Sequence, residues 1–456
     1  MQRRGSLPAR LRSAAAKTNL PVWIALAHAP LGIILYSAGT LGIVHPLLVF
    51  ILGIRQAWNR QTKLEQVAPY VAYLGASEVL WRMAQLPILW ETGKYASAII
   101  ILVALFRRGY KTAPLLPLLY FLFLLPSCVL TLLNRDLEPA KVLLSFSMSG
   151  PTLLFVCCWF FSYLKVDWQQ VRSLLFVMMI PLLSVAVATL FFTVTTENIE
   201  FNTESNHATS GGFGPNQVSA MLGMGAFLCI AAYLLFKNRF QDALWLGIFT
   251  ILFTAQSVMT FSRGGIYNAA GGVLVIILVQ LLNPGVGIKR LLPVIGIVVI
   301  FLLLVFPFLN DFTGGQLQTR FEESDPTNRS TLLEADFQMF AENPILGVGA
   351  GESFFQYLEI LGKATSSHTE FSRLVAEHGM LGILAIGCLL LIFFKNFQQQ
   401  KTNEGKAFIA GVFIWSCLFM LNAGMRLAAP SFVFGMGCLT VVRLRPTRKL
   451  PIGRTT

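Results

Sequence analysis

The segment LLPVIGIVVIFLLLVFPF, residues 291–308, holds no charged side chain. At about 1.5 Å of rise per residue a helix of this length nearly matches the ~30 Å hydrocarbon core of a bilayer. Directly after it the chain turns polar, from Asn310 to Glu377, and then becomes apolar again. The same alternation extends outward over the whole chain of 456 residues, in which 55% are hydrophobic, 12% are charged and the mean hydropathy is +0.65. These values define an all-α polytopic transmembrane helical bundle, of about 12–14 helices, with one large extracytoplasmic loop.

Apolar length and interrupting charges place the spans near 20–37, 41–54, 67–90, 94–106, 113–133, 142–163, 173–193, 216–236, 243–260, 266–282, 291–308, 379–394, 406–423 and 429–443. With both termini cytoplasmic, 25 of the 35 Lys and Arg fall on the cytoplasmic side, among them the groups Arg55/Arg60/Lys63, Arg107/Arg108/Lys111, Lys289/Arg290 and Lys395/Lys401/Lys406. Only Glu65, Asp167, Asp242 and Glu404 of the 22 acids join them. The net charge of +13 is therefore a topology signal, and nucleic acid is excluded as a partner. The division that follows is a basic cytoplasmic tail at 1–19, transmembrane helices at 20–309, an extracytoplasmic catalytic loop at 310–377, transmembrane helices at 378–443 and a cytoplasmic tail at 444–456. The N-terminus lacks the pattern of a cleavable signal. The short loop 194–215 and the turns at Ser262–Gly265 and Met425–Arg426 lie on the same face as the large loop and are expected to converge with it.

All seven cysteines fall inside predicted spans and read as small core residues. His28 and His45 are likewise expected to be packed or hydrogen-bonded within the bundle, and His378 to mark the return of the chain into the membrane. Glu78 and Arg82, at i and i+4, are the clear mid-span charges and are able to pair. A transporter would favour mid-membrane charges, broken helices and internal repeats. No repeat is detectable, which weighs against a flippase of lipid-linked oligosaccharides, the alternative reading.

Chemistry is expected on the extracytoplasmic face. Arg263 sits between two helices beside Gly264 and Gly265, where a guanidinium fork suits phosphate oxygens and glycines permit close backbone approach. Snorkelling of Arg263 to lipid headgroups is the competing explanation. In the large loop eleven acids outnumber four bases, so an anion there would need individual arginines, with Arg320 and Arg329 as candidates. The apolar spacing of residues 330–341 predicts a helix whose first N–H groups, beside Arg329, point toward a phosphate. His368 lies at the start of another predicted helix, and imidazole is the side chain suited to accepting a hydroxyl proton near neutral pH. Glu370 is the alternative base, and Arg373 a further candidate for substrate binding. The run from Gly211 to Gln217, with Gly214 and Asn216, is either a tight turn or a backbone cradle for a lipid-linked head group. No carboxylate cluster points to a divalent metal beyond Glu322, Glu323 and Asp325, so no metal and no cofactor is expected.

In this order, Gly212–Asn216, Ser262–Gly265, Asn328–Arg329 with its following helix, Asn343–Gly349, His368 and Glu377–Gly382 resemble the O-antigen ligase and polymerase superfamily, the WaaL and Wzy proteins. The resemblance covers about residues 205–395, with Thr369 where the family usually has asparagine after the histidine. It implies a metal-independent, GT-C-like glycosyltransferase of the bacterial inner membrane. The donor would be a glycan on undecaprenyl pyrophosphate, and the acceptor a sugar hydroxyl of lipid A core or of a lipid-linked repeat. It further implies that Arg263 and Arg329 hold the phosphates while His368 deprotonates or orients the acceptor. Ligase and polymerase differ in acceptor, and no residue in the sequence reads it.

Overall fold

The computed structural model describes residues 21–282, 291–323, 329–362 and 365–442, with the side chain of Arg329 outside that description. The two terminal tails, the Lys289/Arg290 pair, Asp325, Asn328 and Lys363 lie outside the described residues. Ten helical stretches among the described residues are long and apolar enough to cross a membrane. The all-α, polytopic architecture is as expected, and the count of long spans is lower.

The first stretch, Val22–Trp58, is a hairpin. Helices α1 (Val22–His28) and α2 (Leu31–Ala38) rise, the chain reverses at Gly39, where φ is +54°, and α3 (Val44–Trp58) returns. The reversal is tight enough that a Cβ on Gly42 would lie 3.2 Å from the Leu35 carbonyl oxygen. The two limbs are held by one polar network in the core. Tyr73 bonds both His28 and His45, His28 Nδ1 pairs with Ser184 at 2.7 Å, and Trp81 Nε1 donates to His45 Nδ1 at 2.9 Å. Both histidines are thus engaged within the bundle, as expected.

Next come α4 (Ala68–Met83), α5 (Thr92–Arg107), α6 (Leu115–Asn134), α7 (Leu137–Ser162) and α8 (Trp168–Thr195). They are followed by α9 (Pro215–Leu235), α10 (Phe240–Met259), α11 (Gly264–Leu281) and α12 (Leu292–Phe312). Helix α8 starts where it does because Asp167 and Gln170 form a reciprocal capping box. At the basic end of the bundle, Arg108 donates to the carbonyls of Ala57 and Asn59 at 2.7 and 2.9 Å, and Arg172 pairs with Asp242 at 2.7 Å.

The large loop is mostly helical: α13 (Gln316–Glu322), α14 (Arg329–Glu342) and α15 (Ser353–Leu361) precede α16 (Glu370–Gln399). Leu332, Ala335, Met339, Tyr357 and Ala376 form a small separate core that fixes α14 and α15 on the outer turns of α16. Helix α17 (Asn403–Ala423) follows. The span expected at 429–443 is corrected: α18 (Ala428–Met436) has nine residues, and the chain then forms strand β2 (Thr440–Val441), parallel to β1 (Lys165–Val166). Its N-terminus is sunk in the bundle, where the Ala428 N–H donates to buried Glu78 at 2.6 Å.

Candidate functional site

The end of the bundle opposite the basic clusters carries the loops after α4, α6, α8, α10, α12 and α17. The turn between α10 and α11 is its centre. Phe261 is fully buried with φ +57°, an unusual conformation for a bulky side chain. It stacks on Phe201 at 5.7 Å between centroids, and its carbonyl accepts from Arg320 Nε at 3.1 Å. Ser262 is fixed from α9, its hydroxyl donating to Asn216 Oδ1 at 2.8 Å and its carbonyl accepting from Ser219 at 2.8 Å. Arg263, half-buried at the start of α11, donates to the Glu323 carbonyl at 2.6 Å.

Gly265 serves helix packing: a Cβ there would lie 2.0 Å from the Ser219 carbonyl oxygen. Only hydrogen at this position lets α9 and α11 cross so closely, which differs from the expected close approach of a ligand. Gly211 and Gly212, with φ of +64° and +72°, form the tight turn that leads through Gly214 into α9.

Arg320 is buried and faces the Phe261 carbonyl and Glu323, with a carboxylate oxygen 3.7 Å away. Burial first, and the nearby Arg263 charge second, lower its pKa from the usual arginine range. Arg320 and Asn216 therefore shape the turn carrying Arg263. Helix α14 begins at Arg329, within one residue of the helix expected at 330–341.

The second half of the site is built on α16, which is broken at Gly379, with φ +61° and ψ −138°. In an unbroken helix the N–H groups of residues 380 and 381 would bond the carbonyls of Ala376 and Glu377. Here those carbonyls accept from Val348 and Gly349 at 3.0 and 3.2 Å, and the Met380 N–H donates to the Pro344 carbonyl at 2.8 Å. The Asn343–Gly349 segment thus completes the kink. A Cβ on Gly347 would meet the Glu377 carbonyl carbon at 2.3 Å. His378 is fully buried beside this kink and pairs with Ser127.

Above the kink, Glu370, Arg373 and Glu377 lie on one helical face as a buried ion triad. Arg373 pairs with Glu370, and with Glu377 at 2.6 Å. Glu377 also accepts from Ser147 at 2.8 Å and Ser353 at 2.6 Å. Glu370 accepts from the Met425 N–H at 3.1 Å. Arg373, expected among the substrate-binding residues, is therefore enclosed by two carboxylates. Asp336 receives three hydroxyls, from Tyr357, Ser367 at 3.0 Å and Ser372 at 2.5 Å, which ties α14 to the residues flanking His368. Burial raises the Asp336 pKa above the usual carboxylate range, against the opposing hydroxyl bonds.

The two halves meet through the turn after α17. A Cβ on Gly264 would touch Asn422 at 3.4 Å, Gly424 and Met425 pack on Glu370, and Arg426 donates to the Ser367 carbonyl at 3.2 Å. This convergence brings the Arg263 turn and the His368 segment to the same turn. The triad, the Asp336 ring of hydroxyls and the Arg135–Glu352 pair at 2.7 Å were not singled out in the sequence. The i, i+3, i+7 spacing of Glu370, Arg373 and Glu377 was the available signal.

Residues 248–387 match the family model described as O-antigen ligase. The matched range contains the Ser262–Gly265 turn, α14, the Asn343–Gly349 segment, His368 and the α16 kink, while Gly212–Asn216 precede it. No curated protein matches the chain. The fold is that of a multi-pass membrane protein, and the family that its matched segment resembles is one of glycosyltransferase-type enzymes. Over this segment, a little under a third of its length, the chain is similar to the O-antigen ligase family.

Proposed function

We propose that this protein transfers a glycan from undecaprenyl pyrophosphate to a sugar hydroxyl at the extracytoplasmic face of the bacterial inner membrane, without a metal ion. The observation that carries this reading is the convergence just described: Gly264 against Asn422, and Met425 on Glu370, at the end of the bundle away from the basic clusters. The leaving group of such a transfer is a pyrophosphate anion, so fixed cations matter more than a nucleophilic side chain. In this account Arg263 and Arg329 hold the pyrophosphate, assisted by the N-terminal N–H groups of α14. His368 takes the acceptor hydroxyl proton as that oxygen attacks the anomeric carbon. The bond from the anomeric carbon to the pyrophosphate oxygen breaks, and its electron pair leaves with the carrier. Arg320 and Asn216 position the Arg263 turn, and the triad fixes the α16 end that carries His368.

The test is substitution at the two donor arginines. Lysine keeps the charge and loses the planar fork, so Arg263→Lys and Arg329→Lys should bind the carrier pyrophosphate more weakly and transfer far more slowly, while accumulating in the membrane as the parent does. Full carrier binding and full activity in Arg263→Ala and Arg329→Ala would return both residues to headgroup and surface contacts.

A further inference from the structure

The turn between α17 and α18 is clamped more firmly than a connecting loop requires. Its Met425 N–H is held by Glu370 at 3.1 Å and the Ala428 N–H by Glu78 at 2.6 Å, both carboxylates being buried. A Cβ on Gly150 would lie 2.4 Å from the Met425 Cβ, and Gly424 takes φ +58°. Arg426 is thereby presented at a fixed place in a cleft lined by Lys94, Ser147, Ser366, Ser367, Arg373 and the Arg373-paired carboxylate of Glu370.

The cations nearest to it, Arg82, Lys94 and Arg373, are matched by acids. Arg82 pairs with Glu78 at 2.5 Å, Lys94 with Glu91 at 2.5 Å, and Arg373 with Glu370 and Glu377. Among the described residues no carboxylate lies within 4.0 Å of the Arg426 guanidinium, whose hydrogen bond goes to the Ser367 carbonyl. A guanidinium has five N–H donors, so most of its capacity remains for another partner. Burial, partly offset by Glu370 and reinforced by the Arg373 charge, lowers its pKa from the usual arginine range. The bonded carbonyl is one residue from His368, which puts Arg426 on the side where the acceptor hydroxyl must lie.

We propose that Arg426 recognises a negatively charged substituent of the acceptor sugar, a phosphate or a carboxylate, seated in the Lys94–Arg373–Arg426 cleft. This inference rests on the functional reading above, which supplies the acceptor side. Arginine suits both groups through its bidentate fork, and the serine hydroxyls add neutral donors.

Binding is measured by thermal shift on the purified full chain in lipid nanodiscs, with glucose 6-phosphate, glucuronate and glucose as probes. At least one anionic sugar should bind about tenfold or more tightly than glucose, the size of a charge-assisted hydrogen bond. The advantage should vanish in Arg426→Gln and be reduced in Arg426→Lys, with glucose binding unchanged. Which of the two anionic sugars gains tells phosphate from carboxylate. Should Arg426→Gln not fold, Arg426→Lys carries the comparison. Undecaprenyl pyrophosphate binding should stay at the parent level in the Arg426 variants and fall in Arg263→Lys. Equal binding of all three sugars, or equal losses of anionic and neutral sugars in Arg426→Gln, overturns the proposal. So does weakened carrier binding in Arg426→Gln. Unchanged carrier binding in Arg263→Lys would instead overturn the donor assignment, which the sugar comparison does not read.

Discussion

At the scale of single residues, several charged side chains near His368 are engaged within the protein. Arg373 has two buried carboxylates around it, so Arg373→Ala leaves both uncompensated and should destabilise the fold by about 3–5 kcal/mol. Thermal unfolding in nanodiscs measures this, and an unchanged melting temperature combined with lost carrier binding would return Arg373 to the substrate-binding set. His368→Ala should lower transfer by on the order of a hundredfold to ten-thousandfold and leave carrier binding near the parent value. Glu370 holds the Met425 N–H and pairs with Arg373, so Glu370→Gln is expected to act through geometry. An inactive Glu370→Gln beside an active His368→Ala would exchange their roles. The residue types of the site were legible in the sequence because arginine, histidine and glycine stand out in an apolar chain. Their partners were not, since Ser147 and Glu377 are 230 positions apart and meet only through the packing of α7 on α16.

At the scale of elements, the α16 kink decides where the His368 end of the helix sits. Gly379→Ala places a Cβ 2.7 Å from the Gly347 nitrogen in a conformation only glycine adopts readily, so it should cost at least about 1–3 kcal/mol. A variant as stable and active as the parent would show that the kink is dispensable. The α14 contact has a pH signature. The folded-state pKa of Asp336 is raised above its ordinary value of 3.8, so the protonated form is the one the fold favours. Its contribution is full below that ordinary value and is lost as pH rises through the raised one. The parent should therefore lose apparent melting temperature over that acidic window, and Asp336→Asn should show a flatter profile. Superimposable profiles would contradict it. Helix α14 was legible from apolar spacing, and its start was found within one residue. The Asn343–Gly349 segment was visible only as a motif, because its purpose depends on carbonyls freed 30 residues later at Gly379.

At the scale of the whole molecule, hydropathy and the distribution of Lys and Arg carry most of the architecture, because a bilayer demands long apolar helices and biased loops. Composition misleads where helices are short. Residues 429–443 look like a span by composition, yet α18 stops at Met436 and the chain pairs with β1, since protein rather than lipid surrounds it. A reporter fused after Lys363 should read extracytoplasmic and one after Lys401 cytoplasmic, and the opposite pair of results would invert the site assignment. Transfer from a pyrophosphate carrier is tested by reconstituting the purified chain with carrier-linked glycan and an acceptor sugar in the presence of a chelator. The account predicts one undecaprenyl pyrophosphate released for each glycan transferred, with the chelator without effect and His368→Ala silent. Release of carrier without transfer, movement of intact lipid-linked glycan across the bilayer, or activity that the chelator abolishes would contradict it.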